Sequence, residues 1–311
     1  MKKINVLSLC DGMSCGQIAL KELNIPVLNY YASEIEKDSI KVTQDNFPQT
    51  IQIGDVNKID SNFLKSLPTI DLVMFGFPCR SLTKTTAGHS GYDNGLNGVS
   101  GLFYKCNEIL QWIINNNNNQ VKFLVENVDT YHKNDMQVIS SMLNVEPVLI
   151  DSNLFSAQDR KRFYWTNIQI KPLPKSNPLV IKDILDDEVD EKYFYNYQFT
   201  LLGEDKKVCA TLSINCYDMG KRVNNVNYKC PTLTACRGGY KHKKIYMKEL
   251  NKCRKLTPNE YRKLQTIPNW YKMEVSDSAI YNMCGDGWTI DVIKHILSSL
   301  NEPIIKDNSL F

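Results

Sequence analysis

Along the first part of the chain, short unbroken apolar runs give way to small or polar residues. Ile4–Leu9 runs into Cys10-Asp11-Gly12, Asp71–Phe75 into Gly76-Phe77-Pro78-Cys79, and Lys122–Val125 into Glu126-Asn127. Runs of this length, bounded in this way, predict buried strands. Between them the apolar positions recur at helical spacing. They predict helices over Gly16–Leu23, near Ile35–Phe47 and over Gly101–Ile114, with a further short strand at Tyr30–Ala32. Strands alternating with helices predict an α/β fold, a mainly parallel sheet covered on both faces. Such sheets bind ligands beyond the carboxyl ends of their strands. Cys10-Asp11-Gly12, Glu34, Asp55, Cys79 and Glu126 all follow predicted strands, so five segments bring polar or reactive groups to one edge.

After Trp165 the pattern breaks. Pro172, Pro174 and Pro178 interrupt it, the acidic stretch Asp183–Glu191 follows, and a basic region rich in Asn and Tyr runs to Lys252. Helical character returns at Thr257-Pro258-Asn259-Glu260, with Thr257 as cap, Pro258 at the first helical position and Glu260 completing a capping box. A last helix is predicted over Ile290–Leu297. The expected organisation is a catalytic domain, 1–170 plus 254–311, interrupted by a smaller basic domain, 171–253. Net charge over the whole chain is only +3, yet residues 201–263 carry 15 Lys and Arg against 5 Asp and Glu. That asymmetry suits a polyanion, and equally a solvated lysine-rich face. No apolar run approaches the roughly 18 residues of a membrane helix, and the apolar stretch at the start meets Asp11 and Gly12 rather than a cleavage site. A cytoplasmic protein is expected. Ten cysteines form no C-x-x-C, and His89, His132, His242 and His295 are scattered, so neither metal nor disulfides are expected.

Taken singly, the candidate residues carry modest weight. Asp11–Gly16 is a glycine turn into a helix, which can let backbone approach a ligand or simply turn. Glu34, about 20 positions on and after the next strand, stands where an acid would hold ribose hydroxyls, and Asp55 where a carboxylate would accept from an adenine amino group. The turn is not G-x-G-x-x-G, which counts against a dinucleotide. Cys79, at a strand end, precedes the stretch Arg80–Ser100 with Gly88, Gly91, Gly95 and Gly98. That stretch is either a lid closing over substrate or a loose surface loop. Glu126 at a buried sheet edge is costly unless paired or employed. Arg160 and Arg162, two apart, would share a face of an extended segment.

Together and in order, these residues resemble the DNA (cytosine-5) methyltransferases. Leu9-Cys10-Asp11-Gly12 with Gly16 is similar to that family's cofactor turn, and Ser33-Glu34-Ile35 to its ribose-binding acid. Gly54-Asp55-Val56 resembles the adenine-contacting segment, Gly76-Phe77-Pro78-Cys79 the nucleophile motif, and Glu126-Asn127-Val128 the catalytic glutamate motif. Gln158-x-Arg160-x-Arg162 resembles the paired-arginine motif, Arg254–Glu260 a late helix motif, and Gly285-Asp286-Gly287-Trp288 the final cofactor motif. The resemblance covers nearly the whole chain. It implies a Rossmann-like class I methyltransferase fold, S-adenosylmethionine as cofactor with S-adenosylhomocysteine as product, and no metal. Cofactor contacts are then expected from Leu9, Cys10, Asp11, Gly12, Gly16, Glu34, Ile35, Asp55, Val56, Pro78, Asp286 and Trp288. Cys79, Glu126, Arg160 and Arg162 would be catalytic. Arg80, Ser81, Thr232, Arg237, Gly238 and Gly239 would touch double-stranded DNA, making 171–253 a target-recognition domain. A monomer is implied, serving restriction-modification beside a cognate endonuclease or acting as a phage or orphan enzyme.

Three positions depart from the family pattern: Cys10 where an aromatic is common, Arg80 where glutamine follows the nucleophile, and Asp286 where asparagine is frequent. Ser8-Leu9-Cys10-Asp11-Gly12 is closer to phage-type and animal de novo enzymes. A tRNA cytosine-5 methyltransferase of the same fold is the nearest alternative, but its Cys-Phe-Thr signature is absent from the chain. A catalytically inactive DNA-binding homologue would not need Cys79, Glu126 and both arginines. A nucleotide enzyme that does not transfer methyl groups is the third alternative.

Overall fold

The computed structural model describes residues 2–79, 82, 95–117, 120–129, 133–236 and 239–302. Arg80, Ser81, Arg237 and Gly238, four of the expected DNA contacts, lie outside the described residues, as does most of the glycine-rich stretch after Cys79. The chain divides into two compact units. One comprises Met1–Ile150, Lys161–Pro172 and Ile293–Phe311, the other Asp151–Arg160 and Leu173–Val292.

The first unit opens with β1 (Ile4–Leu9), α1 (Cys15–Glu22), β2 (Val27–Ser33), α2 (Lys37–Asn46) and β3 (Ile51–Gln52). It continues through α3 (Ser61–Ser66), β4 (Leu72–Gly76), α4 (Leu102–Asn116), β5 (Lys122–Val128), α5 (Lys133–Leu143) and β6 (Val148–Asp151). The chain then contributes β7 (Gln158–Asp159) to the second unit and returns for β8 (Lys161–Thr166). Seven strands form one sheet in the order β3-β2-β1-β4-β5-β8-β6. The pairs from β3 to β5 are parallel, and β5 with β8 is antiparallel. Every residue of β5 is buried, as are the last four of β1 and the first four of β4. Unbroken apolar runs are what a parallel sheet covered on both faces demands. From β1 the chain winds outward through β2 and β3, then resumes on the other side with β4. The β1/β4 boundary is therefore the switch point at which open α/β sheets hold ligands.

The second unit holds β9 (Phe194–Tyr195), β10 (Phe199–Leu201), β11 (Val208–Leu212), α6 (Asp218–Lys221), β12 (Arg222–Asn224) and β13 (Cys230–Pro231). After them come β14 (Lys244–Met247), β15 (Lys252–Lys255), α7 (Pro258–Leu264) and α8 (Asp277–Asp286), and α9 (Ile290–Leu297) begins there. Six strands pair in the order β10-β11-β12-β14-β15-β9, and β13 pairs with β7. This unit opens within two residues of the expected insert, but it also takes 151–160 and runs on to Val292, so the expected boundary at 253 falls inside it. Buried polar chemistry explains the extension. Arg254 of β15 donates two bonds to Glu260 of α7, at 2.8 and 2.6 Å. Glu260 in turn accepts from Asp186 N at 3.0 Å. Separating α7 from the insert would leave a buried carboxylate without its cation, a loss of about 3–5 kcal/mol.

Candidate active site

Three strand ends build the first half of the site. Past β1 the chain turns through Cys10 and Gly12, both at positive φ (52° and 56°), and Asp11 N donates to Ser33 O at the end of β2. Gly12 N donates to Glu34 Oε2 at 2.7 Å, while Glu34 Oε1 accepts from Ile35 N and Glu36 N. The glutamate is thus fixed by backbone donors at the switch point. A Cβ placed on Gly12 or Gly54 would meet nothing within 4 Å, so both left-handed turns face open space. Ser33 Oγ donates to Gly54 O at 2.6 Å, holding the segment that carries Asp55. Asp55 Oδ1 accepts from Asn57 N at 3.0 Å. Glu34 and Asp55 retain lone pairs for further donors, and Ile35 beside them is 67% exposed. Two carboxylates, an uncovered aliphatic side chain and open glycine turns suit the ribose, amino group and ring face of an adenosine.

Other members of the expected cofactor set have different places. The side chains of Leu9 and Val56 are in the core and can offer a ligand little beyond backbone. Gly16 is buried in α1, where a Cβ would lie 2.4 Å from Met74 Cε. Its glycine therefore serves close helix-to-sheet packing. Cys10 packs against the core, and its thiol, with burial, pushes the Cys106 thiol well up. Asp11 accepts from the Ser14 hydroxyl and from Tyr30 Oη at 2.8 Å, and burial raises its carboxyl to about 6. Ser14 and Tyr30 were not singled out by sequence. Only the folded turn shows that they hold Asp11.

The second half of the site lies at β4, β5 and β8. Gly76, the last residue of β4, is paired with Glu126 of β5, and Cys79 follows three residues later, half-buried with Pro78. Phe77 anchors this turn by packing on Phe103, ring centroids 5.1 Å apart, and its carbonyl accepts from Asn127 Nδ2 at 3.0 Å. Asn127, buried beside the glutamate, therefore positions the thiol turn. Because β8 runs antiparallel, its first residues reach the edge where the other strands end. Val128 pairs with Arg162, which puts Arg162 diagonal to Glu126 on one face. Arg162 Nε lies 3.0 Å from Glu126 Oε1, with side chains 12% and 10% exposed. A carboxylate and a guanidinium so shielded attract far more strongly than in water.

Arg160 belongs to the second unit. It is 2% exposed and donates to three carbonyls of the second unit: Leu233 at 3.0 Å, Gly285 at 3.0 Å and Gly287 at 2.9 Å. A fork engaged in this way holds backbone. In the same unit Thr232 donates to Asp159 O at 2.7 Å, Gly239 turns at φ 73°, Asp286 is exposed at the end of α8, and Trp288 is half-buried. The end of the glycine-rich stretch is docked rather than loose. Leu96 is buried in the core, and its N donates to Asp135 Oδ2 at 3.2 Å. Among the described residues no group of three or more His, Cys, Asp or Glu could hold a metal, and no helix is long and apolar enough to cross a membrane.

The family profile of the C-5 cytosine-specific DNA methylases matches residues 4–302. The chain belongs to that family. It is a DNA (cytosine-5-)-methyltransferase with a Rossmann-like sheet. Among curated relatives, the type II methyltransferase M.Bsp6I of Bacillus sp. (strain RFL6) is 27% identical, over 88% of this chain and 91% of its own. M.HhaI of Haemophilus parahaemolyticus is 24% identical, over 96% and 95%. The fold is also that of Entamoeba histolytica EhMeth (TM-score 0.71, 15% identity, 96% and 98% covered) and S. pombe Dnmt2 (TM-score 0.69, 17% identity, 97% and 99% covered).

Proposed function

We propose that this methyltransferase acts on carbon 5 of a cytosine swung out of duplex DNA, through a transient bond to Cys79. The observation that carries the reading is the shielded Glu126–Arg162 pair, beside the strand end that leads to Cys79. Carbon 5 of cytosine is a weak nucleophile, and addition at carbon 6 makes it strong. The Cys79 thiolate forms the S–C6 bond while the C5=C6 electron pair moves into the ring. Glu126 hydrogen-bonds or protonates N3, drawing charge that way. Arg162 holds Glu126 and stabilises negative charge on the O2 side. When the C5 proton leaves, the electron pair re-forms C5=C6 and expels the thiolate. Base extrusion costs a few kcal/mol and is common to enzymes that act on a base.

Glu34, Asp55, Ile35 and the Gly12 turn would hold S-adenosylmethionine, and the resemblance to the family adds Asp286 and Trp288 as contacts. That cofactor, when bound, supplies a methyl group on a sulfonium, an electrophile for carbon 5. The basic second unit would serve target recognition, with lysines attracting phosphate. Its relatives' names, type II methyltransferases, favour a role in restriction-modification, with a cognate endonuclease acting in trans. Bisulfite sequencing of DNA from a methylation-free host tests this. Expression of the chain should leave protected cytosines in one sequence context, and Cys79→Ala should leave none. Methylation that survives Cys79→Ala overturns the covalent mechanism, and methylation of tRNA alone overturns the DNA substrate.

A further inference from the structure

Arg160 is buried, charged and unused by the chemistry above, and what it holds is informative. Its guanidinium joins two segments far apart in sequence: Leu233 on one side, Gly285 and Gly287 on the other. The strand before it grips the same two places. β7 pairs in parallel with β13, Cys230 opposite Gln158 and Pro231 opposite Asp159. Gln158 Oε1 accepts from Leu233 N at 2.8 Å, so both backbone polar groups of Leu233 are bound by β7 and the arginine after it. Gln158 Nε2 donates to Gln265 Oε1 at 3.2 Å, and Gln265 Nε2 donates to Gly287 O at 3.2 Å. Thr289 Oγ1 closes the network on Gln265 Oε1 at 2.7 Å.

The two segments also touch directly. A Cβ on Gly285 would lie 2.2 Å from Ala235 N and 2.3 Å from Thr234 C, so only glycine lets the end of α8 pack on that backbone. Hydrogen bonds from a charged donor are roughly twice as strong as neutral ones, and burial shields them from water. Displacing either segment therefore strains the other.

We infer that Arg160 is a positioning residue that couples the Cys230–Cys236 segment to the Gly285–Trp288 turn. Resting on the reading proposed above, a duplex held at Thr232 and a cofactor held at Asp286 and Trp288 then favour each other's binding. Linkage makes the coupling reciprocal: each ligand changes the other's affinity by the same factor. Neither the thiol nor the Glu126–Arg162 pair takes part.

Hydrogen exchange on the intact protein tests this without turnover. With S-adenosylhomocysteine as the only ligand, exchange should slow about five-fold or more in 285–288 and also in 232–236. Arg160→Lys keeps the charge and loses the fork. It should retain protection at 285–288 and lose it at 232–236. Protection confined to 285–288 in the unsubstituted protein overturns the coupling, and this result does not depend on whether the variant folds. An Arg160→Lys protein that melts normally and keeps both protections also overturns it. Calorimetry on the same samples separates the two readings, because failure of S-adenosylhomocysteine to bind at all defeats the cofactor assignment and the coupling with it.

Discussion

Glu126 and Arg162 are each about one-tenth exposed and stand 3.0 Å apart, so a change in the charge of one is felt by the other. Glu126→Gln keeps the shape and removes the charge. Methyl transfer should fall by about 10²–10⁴-fold, the usual worth of a positioned acid or base, and the melting temperature should fall as well, because Arg162 loses its shielded counter-charge. Steady-state kinetics and a thermal melt of the same preparation check this. Asp11 is a different case. Burial raises its carboxyl from 3.8 to about 6, so between those values the folded protein holds a proton that the unfolded chain has lost. Stability contributed by Asp11 is thus largest below pH 4 and declines as pH rises through 6. In denaturant titrations, the stability of Asp11→Asn relative to the unsubstituted protein should rise from pH 4.5 to pH 7. A difference independent of pH contradicts the assignment. Glu34, Asp55 and Cys79 are legible in sequence because each follows a strand, and Glu126 because it ends the apolar run of β5, although the strand itself runs on to Val128. The carbonyls that Arg160 holds were not legible, since alternation says which residues share a face only if the strand continues, and the chain leaves β7 and changes unit between Arg160 and Lys161.

At the scale of elements, local signals carry furthest. β1 and α9 coincide with the expected Ile4–Leu9 and Ile290–Leu297, and α7 shows the predicted box, with Thr257 N donating to Glu260 Oε2 at 2.7 Å and Glu260 N to Thr257 Oγ1 at 3.1 Å. Such signals are written within a few neighbouring residues. β7 with β13 is the opposite case. Two residues pair with two others some seventy positions away, and nothing in either pair alone predicts a strand. The extent of the second unit is likewise not written locally, because it follows from Arg254, Glu260 and Asp186 meeting in space. Two stability predictions follow from that cluster. Thr257→Ala removes a cap and should cost about 1 kcal/mol. Arg254→Met strands a buried carboxylate and should cost about 3–5 kcal/mol, both read from urea midpoints at constant m. Equal costs for the two would mean that the Arg254–Glu260 pair is not buried as described.

For the whole molecule, the charge distribution and the strand edge assign different tasks to different parts of the chain. Residues 201–263, with 15 basic and 5 acidic side chains, belong to the second unit, whereas Cys79, Glu126 and Arg162 belong to the first. Duplex binding should therefore weaken steeply with salt, by about 10³-fold between 50 and 200 mM if some six phosphates are contacted. Glu126→Gln should leave that slope unchanged, because in the proposed mechanism the carboxylate meets a base and not a phosphate. Fluorescence anisotropy with a labelled duplex reads both. The reactive claim itself rests on the sulfur of Cys79, and mechanism-based trapping tests it most directly. The protein is incubated with S-adenosylmethionine and duplex DNA carrying 5-fluorocytosine, whose fluorine cannot leave as a proton does, and the adduct is mapped by peptide mass. The account predicts a protein–DNA complex that survives denaturation, with the modification on Cys79. A preparation that methylates ordinary DNA yet yields no adduct there contradicts it.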